Sequence, residues 1–426
     1  MKIGLLGCGS VGGALVELLA ERRASIAEAT GVDLEIAAVA VRSTSKDRGL
    51  ALDRALLTTD AEAVVSDPGI DLVVEVIGGI EPARSLIQTA LKSGKSVVTG
   101  NKELLANVGQ DLYAAADAAG VDILFEAAVA GAIPIVRPLR ESLLGEDVTR
   151  ILGILNGTTN FILTRMATDG ADYGEALAEA QRLGYAERDP TADVEGYDAG
   201  AKAAIMASLA FGQSVVAGDV FHEGIAGITQ ADIAFAEQMG YEIKLLGIAE
   251  AFEVEDGREV GVRVHPALVP AEHPLAAVRD SFNAVFVEGT ASGELMFYGR
   301  GAGGRPTASA VLGDLIDAAV NRASGTHRPV PSGRRARIRP IDDLESAFYV
   351  NLEVDDAPGV LAAVTGVFGR HGVSIRSMEQ HGSGSGARIA FITHAARERN
   401  LRSTLEELRR LDVVTDIRSV LRVIGQ

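Results

Sequence analysis

The sequence predicts an α/β fold: a Rossmann-type, doubly wound sheet, then an α+β domain, then a small ferredoxin-like domain. Three observations lead to this prediction. Short aliphatic runs alternate with helical segments through residues 1–133, which is typical of parallel βαβ units. Residues 134–324 contain longer helical segments between strands. From residue 347 to residue 426 the order is strand, helix, strand, strand, helix, strand.

The predicted elements follow in chain order. The first domain has a predicted helix over residues 11–24 and predicted strands over residues 2–6, 34–41, 72–77, 96–99 and 123–127. The second domain, expected to bind substrate and to form the subunit contact, has strands over residues 151–155, 259–266, 283–288 and 293–298 and helices over residues 173–183 and 196–211. A helix near residues 305–324 is expected to pack back on the first domain.

The segment 325–346, rich in Pro, Gly and Arg, is a predicted linker. The third domain, residues 347–426, has predicted strands over residues 348–354, 373–380, 387–393 and 413–423 and helices over residues 360–370 and 400–411.

The turn after the first strand is Gly7-Cys8-Gly9-Ser10-Val11-Gly12. Glycines at this spacing let the backbone approach a pyrophosphate, which the N-terminus of the following helix attracts. A structural turn can show the same spacing, but its position at the start of a βαβ series favours dinucleotide binding. We expect cofactor contacts at Gly7, Gly9, Ser10, Val11 and Gly12.

The second predicted strand ends at Arg42, with Lys46 close by, and not at an acidic residue. An acid at this place binds the ribose hydroxyl of NAD, whereas an arginine can bind the 2′-phosphate of NADP. The sequence therefore favours NADP. NAD is the alternative if Arg42 is only a surface charge.

Residues 184–202 place several acids and one lysine on a loop and the helix that follows it. Asp198 and Lys202 are four residues apart and therefore share a helix face. Ile205 and Leu209 continue that face, so Lys202 lies at the polar end of an apolar stripe. Burial lowers the pKa of a lysine, whereas a nearby carboxylate raises it, so the pair makes a tunable proton donor. The alternative is an exposed helical ion pair.

Three further segments carry polar groups that can bind ligands. Lys102 follows a strand end, where open parallel sheets place their ligands, but a solvated charge at a helix start fits equally well. Glu126 is the single acid of the apolar loop 126–134, which fits a simple strand exit better than a site for a hard cation. Residues 156–160, Asn-Gly-Thr-Thr-Asn, can bind a carboxylate or cap the next helix.

The composition excludes several classes of protein. A net charge of −18 over 426 residues argues against nucleic-acid binding, which needs a basic surface. The single cysteine, Cys8, allows no intramolecular disulfide and fits a reducing compartment. The chain starts with a strand-like segment in place of a signal peptide, and no apolar run reaches membrane-spanning length. We expect a cytoplasmic protein that binds neither nucleic acid nor membranes.

Four segments in this order resemble the homoserine dehydrogenases: residues 7–12, 98–102, 155–160 and 184–202. The resemblance extends from residue 1 to the start of the predicted linker, and the last two segments are highly specific to that family. It implies reversible, NAD(P)-dependent reduction of L-aspartate 4-semialdehyde to L-homoserine, on the route to threonine, isoleucine and methionine. Since no kinase domain precedes the glycine-rich turn, the resemblance is to the monofunctional type.

The tail, with Asp355-Asp356-Ala357-Pro358-Gly359, is similar to ACT domains, which often sense amino acids. This similarity implies an effector such as threonine, although many ACT domains only pair subunits. The resemblance as a whole implies a homodimer or homotetramer.

The resemblance also implies residue roles, position by position. Lys202 would be the catalytic proton donor, and Lys102 a second lysine at the reacting centre that also contacts the cofactor. The substrate would be held by the acids Glu187, Asp193 and Asp198 and by the segment Asn156, Gly157, Thr158 and Thr159. A monovalent cation, usually sodium, would be bound by Glu126 and by carbonyls of Val129, Gly131 and Ile133. Gly184 and Gly303 would add cofactor contacts.

Two alternative functions differ in their residue requirements. A semialdehyde enzyme that works through a thioester needs a nucleophilic cysteine. The single cysteine, Cys8, lies between two glycines under the expected pyrophosphate, so this enzyme class is excluded. The other alternative is a non-catalytic NADP-binding amino-acid sensor, against which the paired Asp198 and Lys202 argue.

Overall fold

The computed structural model describes residues 1–50, 52–330, 333–382 and 386–425. They form a six-stranded sheet and a twelve-stranded sheet with helices packed on them. None of the helices in these ranges combines the length and the apolar character that a membrane crossing needs.

The first sheet is parallel throughout. Its strands are β1 (Lys2–Leu6), β2 (Glu35–Ala40), β3 (Leu57–Thr58), β4 (Leu72–Glu75), β5 (Ser96–Thr99) and β6 (Ile123–Leu124). Its helices are α1 (Ser10–Thr30), α2 (Ala61–Ser66), α3 (Ala83–Lys92) and α4 (Lys102–Ala119). The strand order β3-β2-β1-β4-β5-β6 reverses between β1 and β4, which is where such sheets bind ligands.

The middle of the chain supplies the larger, mixed sheet. Its strands are β7 (Val148–Ile154), β8 (Phe221–His222), β9 (Tyr241–Val254), β10 (Gly257–Pro270), β11 (Phe282–Gly289) and β12 (Gly293–Arg300). Its helices are α5 (Gly157–Asp169), α6 (Tyr173–Arg182), α7 (Thr191–Val194), α8 (Tyr197–Phe211), α9 (Gln230–Gln238) and α10 (Gly304–Ala323). The apolar face of α10 is buried with Ile3 and Leu5 of β1 and with Leu15 of α1, so the chain returns to its N-terminal part.

The C-terminal part consists of β13 (Arg337–Ile338), β14 (Glu345–Asp355), α11 (Val360–Arg370), β15 (Ile375–Gly382), β16 (Gly386–Thr393), β17 (Ala396–Arg397), α12 (Glu398–Leu408) and β18 (Val414–Val423). Its strand order β18-β14-β16-β15 and antiparallel pairing are those of a ferredoxin-like fold. Strand β18 also pairs with β10, Ala267 with Arg422 and Leu268 with Val423, so one sheet runs through both parts.

The predicted fold class is confirmed, while several element bounds differ. The predicted strands over residues 72–77 and 123–127 end early, because the chain turns away after Glu75 and forms a 3-10 turn at Glu126–Ala128. The sequence prediction gave no bounds for the helices α2, α3, α4, α5, α7 and α9 or for the strands β3, β8, β9, β13 and β17. Within the predicted linker, β13 pairs with β10 and β14 already begins at Glu345. Residues 331–332 of that linker, and residues 383–385 and 426 of the predicted third domain, lie outside the described residues.

Candidate active site

The turn between β1 and α1 has the shape of a phosphate cradle. Gly7 has φ +99°, and a Cβ on Gly12 would lie 2.2 Å from the Gly7 carbonyl oxygen, so both positions require glycine. A Cβ on Gly9, by contrast, would meet no atom within 4 Å. The first turn of α1 contains no acid. An anion can therefore approach the free N–H groups of this helix N-terminus without repulsion.

A cleft of about 600 Å³ opens beside this turn. The glycine-rich turn forms one side, and Arg42, Ser43, Lys46 and Arg48 line the end beyond β2. Arg48, which the sequence analysis missed, donates to the Ser43 carbonyl at 2.8 Å and to the Lys46 carbonyl at 2.9 Å. It therefore holds together the loop that carries the other cations. The signal in the sequence was the recurrence of Arg and Lys after the second strand.

The turn 301–304 packs directly on the phosphate cradle. Gly303 has φ +120°, and a Cβ on Gly304 would lie 2.9 Å from the Ser10 carbonyl oxygen. The structure thus brings Gly303 next to the predicted cofactor turn. Gly184, in contrast, lies in the exposed loop after α6 and does not line the cleft.

Glu75 and Thr99 form a buried pair at the ends of β4 and β5. The sequence analysis missed Glu75, and it included Thr99 only as part of the segment 98–102, without a role. Thr99 donates its hydroxyl to Glu75 at 2.6 Å. The other carboxylate oxygen of Glu75 accepts the N–H groups of Ile77 and Gly78 at 2.8 and 3.0 Å. Because Ile77 and Gly78 line the cleft, Glu75 fixes the shape of its floor. A charged residue at the end of a buried strand was the available signal.

Two lysines share one buried aspartate, Asp198. The Asn101 side chain caps α4 by accepting from Leu104 N at 3.1 Å, which places Lys102 in the first helical turn. Lys102 Nζ lies 2.6 Å from Asp198 Oδ1, and Lys202 Nζ lies 2.6 Å from Asp198 Oδ2. Lys202 also donates to the Leu155 carbonyl at 2.7 Å. The helix face predicted for Asp198 and Lys202 is confirmed.

The environment gives the two ammonium groups opposite pKa shifts. Lys202 is 8% exposed, and burial lowers its pKa despite the nearby Asp198. The Lys102 side chain is 44% exposed, and the charge and hydrogen bond of Asp198 outweigh its partial burial, so its pKa is raised. For Asp198, burial raises the pKa, but the two lysines dominate and hold it well below its usual value. Lys202 is therefore the stronger acid of the pair.

Asn156 connects this cluster to a second aspartate. Its amide donates to Asp193 at 2.7 Å and to Asp198 at 2.9 Å, while its oxygen accepts from Thr159 N at 2.8 Å and so caps α5. Burial raises the pKa of Asp193, and the bond from Asn156 opposes the shift. The Thr158 hydroxyl donates to the Tyr185 carbonyl at 2.6 Å. The segment 156–159 thus both caps a helix and borders the acidic cluster.

Glu187 is not brought into this cluster. Its side chain is exposed and makes no hydrogen bond or ion pair within the described ranges. Only its backbone carbonyl is used, accepting from Gln181 at 3.1 Å.

In the loop 126–134, the side chain of Glu126 and the backbone carbonyls have different roles. The buried Glu126 carboxylate accepts the N–H groups of residues 135–137 at 2.6 to 2.8 Å, which caps the turn of helix that follows. The carbonyl oxygens of Val129, Gly131 and Ile133 are on buried residues, and no backbone N–H in the described part of the chain donates to them. Ala130 and Gly131 both have positive φ, 54° and 56°. Carbonyl oxygens of buried residues without backbone donors are ligands that a hard cation can use.

Asp314 of α10 holds this loop in place through hydrogen bonds. It accepts from Glu126 N at 2.7 Å and from Arg137 at 3.0 Å. Burial raises the pKa of Asp314 to about 7, with Glu126 N–H and Arg137 opposing the shift and the Glu126 charge adding to it. The helix that returns to the first sheet thus also fixes the proposed cation loop.

These features define the class of protein before any comparison. A doubly wound sheet with a phosphate cradle at its switch point, and a lysine–aspartate–lysine cluster shared between α4 of that part and α8 of the middle part, are the features of an NAD(P)-dependent dehydrogenase.

The comparisons with known proteins identify the family. A family model described as homoserine dehydrogenase matches residues 134–316, one described as its NAD binding domain matches residues 7–126, and an ACT domain model matches residues 348–413. The homoserine dehydrogenase of Corynebacterium glutamicum is 50% identical over 99% of this chain and 95% of its own length. The chain therefore belongs to the homoserine dehydrogenase family.

Solved structures of homoserine dehydrogenases also resemble this chain. A homoserine dehydrogenase from Thiobacillus denitrificans has a TM-score of 0.93 and 41% identity, covering 99% of this chain and 98% of its own. A hyperthermophilic archaeal homoserine dehydrogenase in complex with NADPH has a TM-score of 0.64 and 30% identity, over 74% of this chain and 97% of its own. The activity is that of a homoserine dehydrogenase, an oxidoreductase with a regulatory ACT domain; the sensor alternative finds no support.

Proposed function

We propose that Lys202 and Lys102 together perform the proton chemistry of aspartate semialdehyde reduction and homoserine oxidation. The observation that carries this proposal is the single Asp198 carboxylate, with one lysine at 2.6 Å from each oxygen. The dinucleotide, when bound, supplies or takes the hydride. Charge then develops on the substrate oxygen, which needs a positioned proton donor.

Lys202 is the proposed donor. Burial lowers its pKa, so it gives up a proton more readily than Lys102. Two of its three N–H bonds are used by Leu155 and Asp198, which leaves one for the substrate oxygen. Lys102 polarises the same oxygen and keeps Asp198 paired when Lys202 is neutral. Asp198 is thus never left as an unpaired buried charge.

The substrate's charged groups have separate partners in this proposal. Asp193, held by Asn156 beside the cluster, binds the ammonium group, with Glu187 as a second acid nearer the surface. The N-terminal turn of α5, which contains Gly157, Thr158 and Thr159, binds the carboxylate in this proposal. The N–H groups of Gly157 and Thr158 are the donors, because Asn156 already uses that of Thr159 and a helix N-terminus favours an anion.

We propose NADP as the preferred cofactor, with NAD as the weaker one. Arg42, Lys46 and Arg48 at one end of the cleft fit a 2′-phosphate, and the archaeal relative in complex with NADPH supports this choice. Gly7, Gly9, Ser10, Val11, Gly12 and Gly303 are the proposed phosphate contacts, with Lys102 near the nicotinamide and Gly184 at the edge of the site.

We further propose a sodium ion at the carbonyls of Val129, Gly131 and Ile133. The carboxylate of Glu126 would contribute its charge and shape the loop, since three N–H groups already use it.

We also propose the domain limits 1–133, 134–324 and 347–426, with the linker 325–346. The protein is a homodimer or homotetramer in this proposal, and its C-terminal domain takes a threonine-like effector. Homoserine-dependent reduction of NADP, followed at 340 nm, tests the central proposal; a protein that binds NADP without this activity would refute it.

A further inference from the structure

A chain of hydrogen bonds connects the floor of the dinucleotide cleft to the helix that carries Lys102. The floor loop, residues 76–79, follows β4 and contains two successive glycines of positive φ, Gly78 at 75° and Gly79 at 74°. Gly78 lines the cleft. The carbonyl of Gly79 accepts a hydrogen bond from Asn101 Nδ2 at 2.7 Å. The floor loop is therefore attached to the residue that directly precedes Lys102.

The Asn101 side chain has two separate functions in this connection. Its Oδ1 caps α4 by accepting from Leu104 N, and a serine at this position could supply that cap equally well. Its Nδ2 donates to Gly79, which a serine hydroxyl that already caps the helix is too short to reach. Asn101 is only 6% exposed, so water does not readily replace the lost donor. The bond to Gly79 is thus the function that requires an amide.

Thr99 and Glu75 make the same connection a second time, through the backbone of Asn101. Asn101 N donates to the Thr99 hydroxyl at 3.0 Å, and Thr99 donates in turn to Glu75, whose other oxygen accepts from Gly78 N. Glu75 and Thr99 are both fully buried. Bonds of this kind inside the protein support one another, so the floor loop and the start of α4 form one unit.

Lys102 depends on this unit for its position. Its side chain is 44% exposed, and within the described ranges its ammonium contacts a single partner, Asp198, at 2.6 Å. An ion pair of a half-exposed lysine contributes little to holding a long side chain in one place. The fixed backbone at the start of α4 therefore decides whether Lys102 stays at Asp198.

We propose that Asn101 is a positioning residue for the reaction: by joining Gly79 to the start of α4, it holds Lys102 against Asp198. Without the bond to Gly79, Lys102 leaves Asp198, which then pairs with Lys202 alone. This inference rests on the proposed proton chemistry of the two lysines.

The charges around Lys202 give the sign of the effect. Burial lowers the pKa of Lys202, Asp198 raises it, the charge of Lys102 lowers it further, and Asp193 raises it. His222 packs on the same helix, and burial lowers its pKa, so it stays neutral near pH 7. Departure of Lys102 therefore raises the pKa of Lys202. Homoserine oxidation needs the neutral amine as proton acceptor, so the rising limb of kcat moves to higher pH.

Asn101→Ser tests the proposal in the full-length protein, because serine keeps the cap and loses the bond to Gly79. Asn107→Ser is the matched control, since Asn107 is exposed on the same helix and donates only to the Glu103 carbonyl at 2.8 Å. Acetylation of Lys102 by acetic anhydride is measured by mass spectrometry, with the exposed Lys92 as internal reference.

Faster acetylation of Lys102 is expected in Asn101→Ser. Burial lowers the pKa of Lys102 but Asp198 outweighs it, so release from Asp198 increases the fraction of reactive free amine. The rate should rise at least about threefold in Asn101→Ser and stay unchanged in Asn107→Ser. Asn101→Thr, which also keeps the cap, repeats the test if the serine variant does not fold. Equal acetylation in Asn101→Ser and Asn107→Ser would overturn the proposal.

The kcat of homoserine oxidation is measured against pH on the same samples. Asn101→Ser should lower kcat and move the rising limb to higher pH, and it should have little further effect on kcat in a Lys102→Met background. Additive losses would overturn the proposal, because Asn101 would then act independently of Lys102. Faster acetylation with an unchanged kcat and limb would refute the proposed role of Lys102 in the proton chemistry, and with it the role of Asn101 in the reaction.

Discussion

Replacing Lys202 by Met is the most direct test of the proton donor. The substitution removes the ammonium and its bonds to Leu155 and Asp198 and keeps a similar side-chain volume. Loss of a positioned general acid lowers kcat by roughly 10² to 10⁴, which corresponds to about 2.7 to 5.5 kcal/mol of transition-state stabilisation. Folding should tolerate the change, because Asp198 keeps its bonds to Lys102 and Asn156.

The assay is homoserine oxidation followed at 340 nm, with the melting temperature measured in parallel. Lys244→Met is the matched control. Lys244 is 1% exposed and donates to Val278 at 2.7 Å on the opposite face of β9, so its loss should affect stability and leave turnover intact. Turnover of Lys202→Met within about threefold of the unaltered enzyme would refute the assignment, because a general acid contributes far more. An equal loss of turnover in both variants would show that the effect comes from lower stability and not from loss of the proton donor.

Three further predictions concern the pH profile and the cofactor. Asp198→Asn removes the carboxylate that favours the ammonium form of Lys202, so the pKa of Lys202 should fall further. In a plot of kcat for homoserine oxidation against pH, the rising limb should therefore move to lower pH. An unchanged limb would remove Asp198 from the proton path. Gly12→Ala should abolish dinucleotide binding and lower the melting temperature, since its Cβ would lie 2.2 Å from a carbonyl oxygen. Gly9→Ala should fold normally and only raise the KM for the dinucleotide. Equal melting temperatures of the two variants would contradict this expected difference. Arg42→Ala should raise the KM for NADP about tenfold or more and leave that for NAD nearly unchanged, and a parallel change for both cofactors would show that Arg42 does not bind the 2′-phosphate.

The continuous sheet gives the C-terminal domain a direct route to the catalytic part. Strand β18 pairs with β10, and Arg422 at the same position binds Glu223 across the junction. A regulatory domain attached in this way shares backbone hydrogen bonds with the domain that it controls.

The sequence by itself determined the periodic and local features. Alternation of strand and helix predicted the doubly wound sheet, and the spacing Gly7, Gly9, Gly12 predicted the phosphate cradle, because both depend on neighbours along the chain. The four-residue separation of Asp198 and Lys202 likewise predicted their shared helix face.

Tertiary structure alone decided what happens between distant segments. Lys102 meets Asp198 across 96 positions of sequence only because the Asn101 cap and the packing of α4 on α8 bring them together. The Glu126 carboxylate proved to be a helix cap, Glu187 remained in solvent, and β18 joined β10, none of which any local pattern encodes. Contacts of this kind depend on how whole elements pack, and packing is set by the shapes of buried surfaces that a linear sequence does not display.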